Sequence, residues 1–399
     1  MLSTKRSPVA DEAFLPFARP SITEAEKAAV REVLDDGWIT TGPRAKEFES
    51  RFAARVRARH AIALSSATAG LHLALEAVGV GPGDEVIVPT WTFAASAEVV
   101  VQLGGRPVLV DPDATTLNAS PDTITAALTP RTKAVVAVHF GGLASAPDRL
   151  AEALERSGVA LVEDAAHAFP SRMSDGRYAG TYGRAGVYSF YATKTITTGE
   201  GGMLVTDDDA LAARARVMSL HGISANAWNR YAQAGTWYYE IEAAGYKYNM
   251  TDIAAALGLV QLERADELHE ARRRLADGYG QRIGSSSIAD LVELPAGTGD
   301  PSHAWHLYVI RLQLDRLAID RSSVIDRLRE RGIGTSVHFI PLHLHPYYQK
   351  TWQYGPGDLP IATREFDRVI SLPLWPGMSE GQLDRVVFGL HAVLDTARR

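Results

Sequence analysis

The sequence predicts an α/β protein built on a mostly parallel sheet with helices on both faces. Three observations predict it. Short apolar runs recur along the first half of the chain, each ends on turn-forming residues, and helix-forming stretches fill most of the intervals. Strands joined through helices pair in parallel, because the crossover lays a helix over one face of the sheet.

In chain order, Thr23 to Leu34 reads as a helix, with Ser21 or Thr23 able to cap its first turn and Gly37 near its end. Strand-like runs follow at Ala61–Leu64, Glu85–Val88, Pro107–Val110, Ala134–Val138 and Val159–Val162. Ala146 to Ser157 is helix-forming, a further apolar run begins at Val187, and Gly202–Thr206 adds another strand. From Asp266 to about Gly280 a long charged helix reads as a bridge to a second unit. That unit carries a strand at Leu307–Leu312 and helices at Ser322–Arg331 and Ser379–Ala397. The expected division is a large domain with an N-terminal helix segment at 1–265, then the bridging helix and a small C-terminal domain at 266–399. The run Gly79-Val80-Gly81-Pro82-Gly83 precedes a strand instead of following one, so it reads as a turn and not as a dinucleotide-binding loop.

Composition narrows the function classes. With 399 residues, 46% hydrophobic and 22% charged, the chain can bury a core large enough for two domains. A net charge of −6 gives no electrostatic footprint for nucleic acid or an anionic membrane. Zero cysteines remove disulfides, thiolate metal sites and protein-ligated iron–sulfur clusters together. His303-Ala304-Trp305-His306 and His343-Leu344-His345 lack carboxylates at ligand spacing and read as pocket or packing residues, with no metal expected. The first residues, up to Phe14, lack the apolar core of a signal peptide, and no apolar run approaches the roughly 20 residues that span a bilayer. A cytoplasmic protein without a membrane partner is expected.

Open α/β sheets bind ligands beyond the carboxyl ends of their strands, so those transitions are where chemistry is sought. In Leu64-Ser65-Ser66-Ala67-Thr68-Ala69-Gly70, small residues follow a strand and open a helix, offering N–H groups to a phosphate at Ala67 and Thr68. The alternative is an ordinary helix cap. Phe93, after the next strand, can lie flat on a ring or be a core aromatic. Asp164 ends the run Leu161-Val162-Glu163-Asp164, where a carboxylate is expensive unless it meets a cation or several donors. A helix-capping Asp with a packed His167 one turn on is the competing reading. Ser189 is available to a phosphate, or is a plain strand serine. Lys194 sits between Phe190-Tyr191 and Gly199-Glu200-Gly201-Gly202. A surface lysine is the usual state, but this setting suits an amine consumed in a Schiff base. A strand-end Asp and a loop Lys are the pair that pyridoxal 5'-phosphate (PLP) requires, one holding the pyridine nitrogen protonated and the other bonding to the aldehyde carbon.

With these residues in view, the chain resembles the DegT/StrS-type nucleotide-sugar aminotransferases from Pro20 to about Val387. The motifs are Asp36-Gly37-Trp38-Ile39-Thr40-Thr41-Gly42-Pro43, Ser66-Ala67-Thr68, Gly81-Pro82-Gly83-Asp84-Glu85-Val86, Glu163-Asp164-Ala165-Ala166-His167 and the Lys194 loop. Further on come Gly245-Tyr246-Lys247-Tyr248-Asn249-Met250-Thr251-Asp252-Ile253 and Gly332-Ile333-Gly334-Thr335-Ser336-Val337-His338-Phe339. Ser65–Gly70 and Gly245–Asn249 are similar to the branch that forms UDP-aminoarabinose.

The resemblance implies a type I PLP-dependent transferase, aspartate-aminotransferase-like, with a mostly parallel seven-stranded sheet plus the smaller α/β domain. It makes Lys194 the Schiff-base lysine and Asp164 the partner of the pyridine nitrogen. His167 would contact the 3-oxygen, where many relatives have Gln; Ala67, Thr68 and Ser189 would hold the phosphate, and Phe93 would stack on the ring. Relatives send an Asn from a neighbouring subunit to the phosphate; here Lys247 occupies that position, with Asn249 two residues on. Shared sites imply a homodimer. His338 falls where relatives line the sugar pocket, with a satisfied strand-end His as the alternative. The implied reaction moves an amino group from L-glutamate to a TDP- or UDP-linked 4-keto-sugar, for a glycosylated natural product or a cell-surface glycan. A 3-keto-sugar aminotransferase and a non-catalytic regulatory protein that keeps the fold are the alternatives. A keto-sugar dehydratase, which replaces the lysine by His or pairs PLP with an iron–sulfur cluster, is opposed by Lys194 and by the lack of cysteine.

Overall fold

A computed structural model describes residues 14–155, 157–223 and 238–399. The N-terminal stretch read above for a signal peptide lies, up to residue 13, outside them. Seven strands form the larger sheet: β1 (His60–Leu64), β2 (Glu85–Pro89), β3 (Arg106–Val110), β4 (Thr132–Val138), β5 (Ala160–Asp164), β6 (Ala185–Ser189) and β7 (Gly202–Thr206). Their order is β1-β7-β6-β5-β4-β2-β3. The pairs from β6 to β3 are parallel, and β7 runs antiparallel to both β6 and β1. The reversal has a local cause: β6 and β7 are joined by the lysine loop without a crossover helix, so the chain must turn straight back.

Burial explains why these segments are strands. Every residue of β2 and β7 is buried, as a sheet covered on both faces demands. On one face Leu71 and Leu75 of helix Ala67–Ala77 join Val86, Val88, Val136 and Val162 in one core. On the other, Phe48, Phe52, Phe169, Tyr188, Phe190 and Met203 form a second. The N-terminal helix runs Glu24–Asp36, capped by Thr23 in a reciprocal box with Glu26 and ended by Gly37 in the left-handed region at φ 76°. Helix Pro43–Val56 was not read from the sequence. Its cap, Gly42, has no side chain to offer, so Asp252 accepts the Gly42, Arg44 and Ala45 N–H groups instead.

A second sheet, β8 (Val292–Glu293), β9 (Tyr308–Leu312) and β10 (Val369–Leu372), is antiparallel in the order β10-β9-β8. Helices Ala265–Gly284, Arg321–Glu330 and Glu380–Asp395 pack on it through Tyr279, Leu328 and Leu390. Residues 340–366 return to the first sheet: Leu342, Tyr348 and Leu359 join its core, and Asp111 accepts the N–H groups of Ile361 and Ala362. Among the described residues, no helix is long and apolar enough to cross a membrane.

Candidate active site

β5 and β6 are parallel neighbours, so Asp164 at the end of one and the lysine loop after the other open on the same side of the sheet. β1 and β2 point the same way and deliver Ser66 and the Thr92–Phe93 turn to that side. The result is a cavity of about 490 Å³. Ala67, Thr68, Phe93, Asp164, His167, Ser189, Lys194 and His338 all line it. Eight residues singled out from the sequence thus meet at one place.

Asp164 is buried, and its oxygens accept two hydrogen bonds from the protein: Ser96 Oγ–H at 2.7 Å on Oδ2 and the Ala166 N–H at 3.1 Å on Oδ1. Thr92 Oγ1 lies 2.8 Å from Ser96 Oγ and orients it. The segment after Asp164 is a turn, not a helix, so Asp164 caps no helix and the one-turn offset expected for His167 does not apply. His167 reaches the cavity all the same. Its Nδ1 accepts from the Gly141 N–H at 3.3 Å, which leaves the proton on Nε2.

The lysine loop is closed by the Phe190 N–H on Gly201 O and the Thr198 N–H on Phe190 O, both 2.9 Å. Lys194 is half-buried, with Nζ 3.4 Å from His306 Nε2. Burial lowers its amine to about 7; the charge of Asp164 opposes that shift and Arg272 adds to it. Burial also holds the imidazoles of His167 and His306 well below their usual range, with Lys194 adding to both. His338 falls to about 4 for the same reasons, while its Nδ1 pairs with Ser371 Oγ at 2.9 Å. The three histidines around the amine are therefore neutral at pH 7.

The opposite wall fits an anion. Ser66 caps helix Ala67–Ala77 through the Ala69 N–H at 3.1 Å, and Ala67 and Thr68 of the first turn, whose N–H groups have no intrahelical partner, line the cavity. Gly202 makes this loop possible. A Cβ there would lie 2.5 Å from Ala67 N and from Ser66 C and O. Phe93 is 60% exposed, which rules out the core-aromatic alternative, and it lines the cavity beside Phe339. Lys247 and Asn249 do not line this cavity within their own chain. Lys247 Nζ donates to Asn249 Oδ1 at 2.5 Å, and Asn249 Nδ2 donates to Thr41 Oγ1 at 2.6 Å.

Sequence reasoning left three contributors out. His306, a pocket or packing residue by its sequence, lines the cavity and also faces the lysine amine, a role its spacing does not show, with its Nδ1 buried without a partner. Ser96 sits inside an apolar helix, Ala95–Gln102, where nothing in the sequence marks it. Arg272 lies on the charged helix Ala265–Gly284, among arginines that face water.

A carboxylate, an amine and helix N–H groups around one cavity fit PLP: an aldehyde for Lys194, a ring nitrogen for Asp164 and a phosphate for Ala67–Thr68. Known proteins with this architecture agree. Spore coat polysaccharide biosynthesis protein SpsC of Bacillus subtilis is 46% identical over 96% of this chain and 98% of its own. Spr1654 of Streptococcus pneumoniae, solved in PMP and PLP forms, superposes with TM-scores of 0.89 and 0.88 at 33% identity, covering 96% of this chain and 99% of that one. The aminotransferase TlmJ of Streptoalloteichus hindustanus matches with a TM-score of 0.86 at 36% identity, over 95% of this chain and 98% of that one. A family model matches residues 20–391, and the chain belongs to the DegT/DnrJ/EryC1/StrS aminotransferase family.

Proposed function

We propose that this chain is a cytoplasmic PLP-dependent aminotransferase that moves an amino group from L-glutamate to the 4-keto group of a TDP- or UDP-linked sugar. The observation that carries it is the meeting of Asp164, Lys194 and the first turn of helix Ala67–Ala77 around one cavity. Family membership makes the chain an aminotransferase, and the relative solved in PLP and PMP forms supports the cofactor. The likeness to a spore coat polysaccharide biosynthesis protein favours a surface glycan as the destination of the amino-sugar.

PLP, when bound, supplies an electrophilic carbon and a ring that accepts an electron pair. The chain does the rest. Lys194, lowered to about 7, is about half unprotonated at neutral pH, and so could serve both as covalent anchor and as the base that takes the α-proton of the amino donor. Asp164, steadied by Ser96 and Ala166, would hold the ring nitrogen. Ala67, Thr68 and Ser189 would hold the phosphate, Phe93 would stack on the ring, and His167 would contact the 3-oxygen through its Nε2–H. His338, on the cavity wall, would face the sugar. Lys247 or Asn249, which lie outside their own cavity, would reach the phosphate of a second copy in a homodimer with shared sites. The chain divides functionally at 265/266, with both parts contributing to the cavity.

The test is an assay of purified protein with glutamate against TDP- and UDP-linked 3-keto- and 4-keto-sugars, reading 2-oxoglutarate and the mass of the sugar product. Amination of a 4-keto-sugar is expected. Activity confined to 3-keto-sugars, or to none, overturns the assignment.

A further inference from the structure

Arg272 is 2% exposed, and burial alone accounts for its guanidinium being lowered to about 10, because no carboxylate stands beside it. Backbone carbonyls take the place of a counter-ion. Nη1 donates to Trp305 O at 3.4 Å, His306 O at 3.3 Å and Leu374 O at 3.1 Å, and Nη2 to Thr193 O at 3.0 Å. Nε has no partner at all. An uncompensated buried cation is expensive to keep, so its placement calls for a reason. Thr193 directly precedes Lys194, and His306 is the residue facing the Lys194 amine at 3.4 Å. One guanidinium therefore grips the backbone on both sides of the reactive amine.

We infer that Arg272 is a positioning residue that acts on the reaction through Lys194: pinned by Thr193 and His306, its uncompensated charge adds to burial in holding the freed amine in its neutral, nucleophilic form. This deepens the reading of Lys194 above and rests on it. An amine that must accept a proton from carbon has to be unprotonated first, and a nearby like charge disfavours the ammonium. Burial is the larger cause, and no other charged group facing the amine adds to it. Asp164 favours the ammonium, His167, His306 and His338 are neutral through burial, and Glu200 on the cavity wall carries the wrong sign.

The test uses the full chain stripped of cofactor and an amine-acylating reagent, applied in trace amounts from about pH 5.5 to 10, the range that brackets a depressed and an ordinary lysine. Labelling of Lys194 is read by peptide mass spectrometry. Wild type is expected to give a midpoint near 7. R272Q removes the charge, moves the midpoint up and lowers labelling at pH 7 by about fivefold or more, while R272K keeps the charge and the wild-type midpoint. A midpoint in R272Q equal to wild type, or an R272K midpoint raised as far as that of R272Q, overturns the inference. Should R272Q fail to fold, R272K decides: a midpoint within about 0.3 units of wild type supports the role of the charge, and a larger rise overturns it. An ordinary wild-type midpoint near 10 would instead sink the assignment of Lys194 itself.

Discussion

Glu163 and Asp164 are adjacent buried carboxylates at the end of β5, and alternation along the strand sends them to opposite faces. Glu163 is fully engaged within the protein. Its Oε1 accepts the Tyr182 and Gly183 N–H groups at 2.6 and 2.7 Å, and its Oε2 accepts the Gly180 N–H at 2.8 Å and His139 Nε2–H at 3.0 Å. His139 is set to donate because its Nδ1 already accepts the Ser145 N–H. Asp164 has two protein donors and opens on the cavity. The same side-chain chemistry in consecutive positions thus does two jobs. A carboxylate with all its lone pairs used holds loops together; one left partly unsatisfied beside a cavity is kept for a ligand.

Breaking the functional side should show the largest effect. Lys194→Ala removes the amine and should lower 2-oxoglutarate production by about three orders of magnitude or more while the protein stays folded by circular dichroism; retained transamination would refute the role assigned to Lys194. Next comes an exchange test on the neighbouring carboxylates. Glu163→Gln strands buried donors and should cost about 3–5 kcal/mol in urea unfolding. Asp164→Asn should leave unfolding within about 1 kcal/mol of wild type and abolish tight PLP retention, seen as loss of bound-cofactor absorbance on gel filtration. If both variants lose stability equally, the division of labour is wrong.

A third buried carboxylate extends the comparison. Burial raises Glu26, but bonds from Thr23, Arg264 and Gln261 outweigh it and hold the group at about 2. A depressed carboxylate stabilises the fold above its unfolded value of about 4.5 and loses that contribution as pH falls through 2. Glu26→Gln should therefore cost about 1–2 kcal/mol at pH 7, with the gap to wild type closing near pH 2 in matched urea melts. A gap independent of pH would count against charge as its source. The smallest effect is expected of Ser96→Ala, which deletes one hydrogen bond to Asp164 and should weaken PLP binding about fivefold, measured by equilibrium titration.

Much of the fold and of the site is legible in the sequence alone. Repeated apolar runs announced the sheet because a strand covered on both faces must be apolar throughout, as β2 and β7 are. Lys194, Asp164, Phe93 and the Ala67–Thr68 turn stood out because each follows a strand, where open sheets place ligands. The missing pieces have physical reasons. β8 has two residues, too few for a period, and helix Pro43–Val56 takes its cap from Asp252, far along the chain. Ser96, His306 and Arg272 act through neighbours brought in by the fold, and local spacing carries no trace of such contacts.

Strand order also governs how the chain can be made. β1 leaves the ribosome first of the seven, yet among those strands it borders only β7, the last of them to emerge. Until Thr206 is synthesised, β1 has an unpaired edge, and the turn at Ser66–Ala67 lacks the glycine-lined wall that Gly202 provides. Pairing across so long a span is slow to nucleate. Nascent fragments ending before β7 should therefore lack an organised anion-binding turn, and cofactor capture becomes an event that follows sheet closure and cannot guide it.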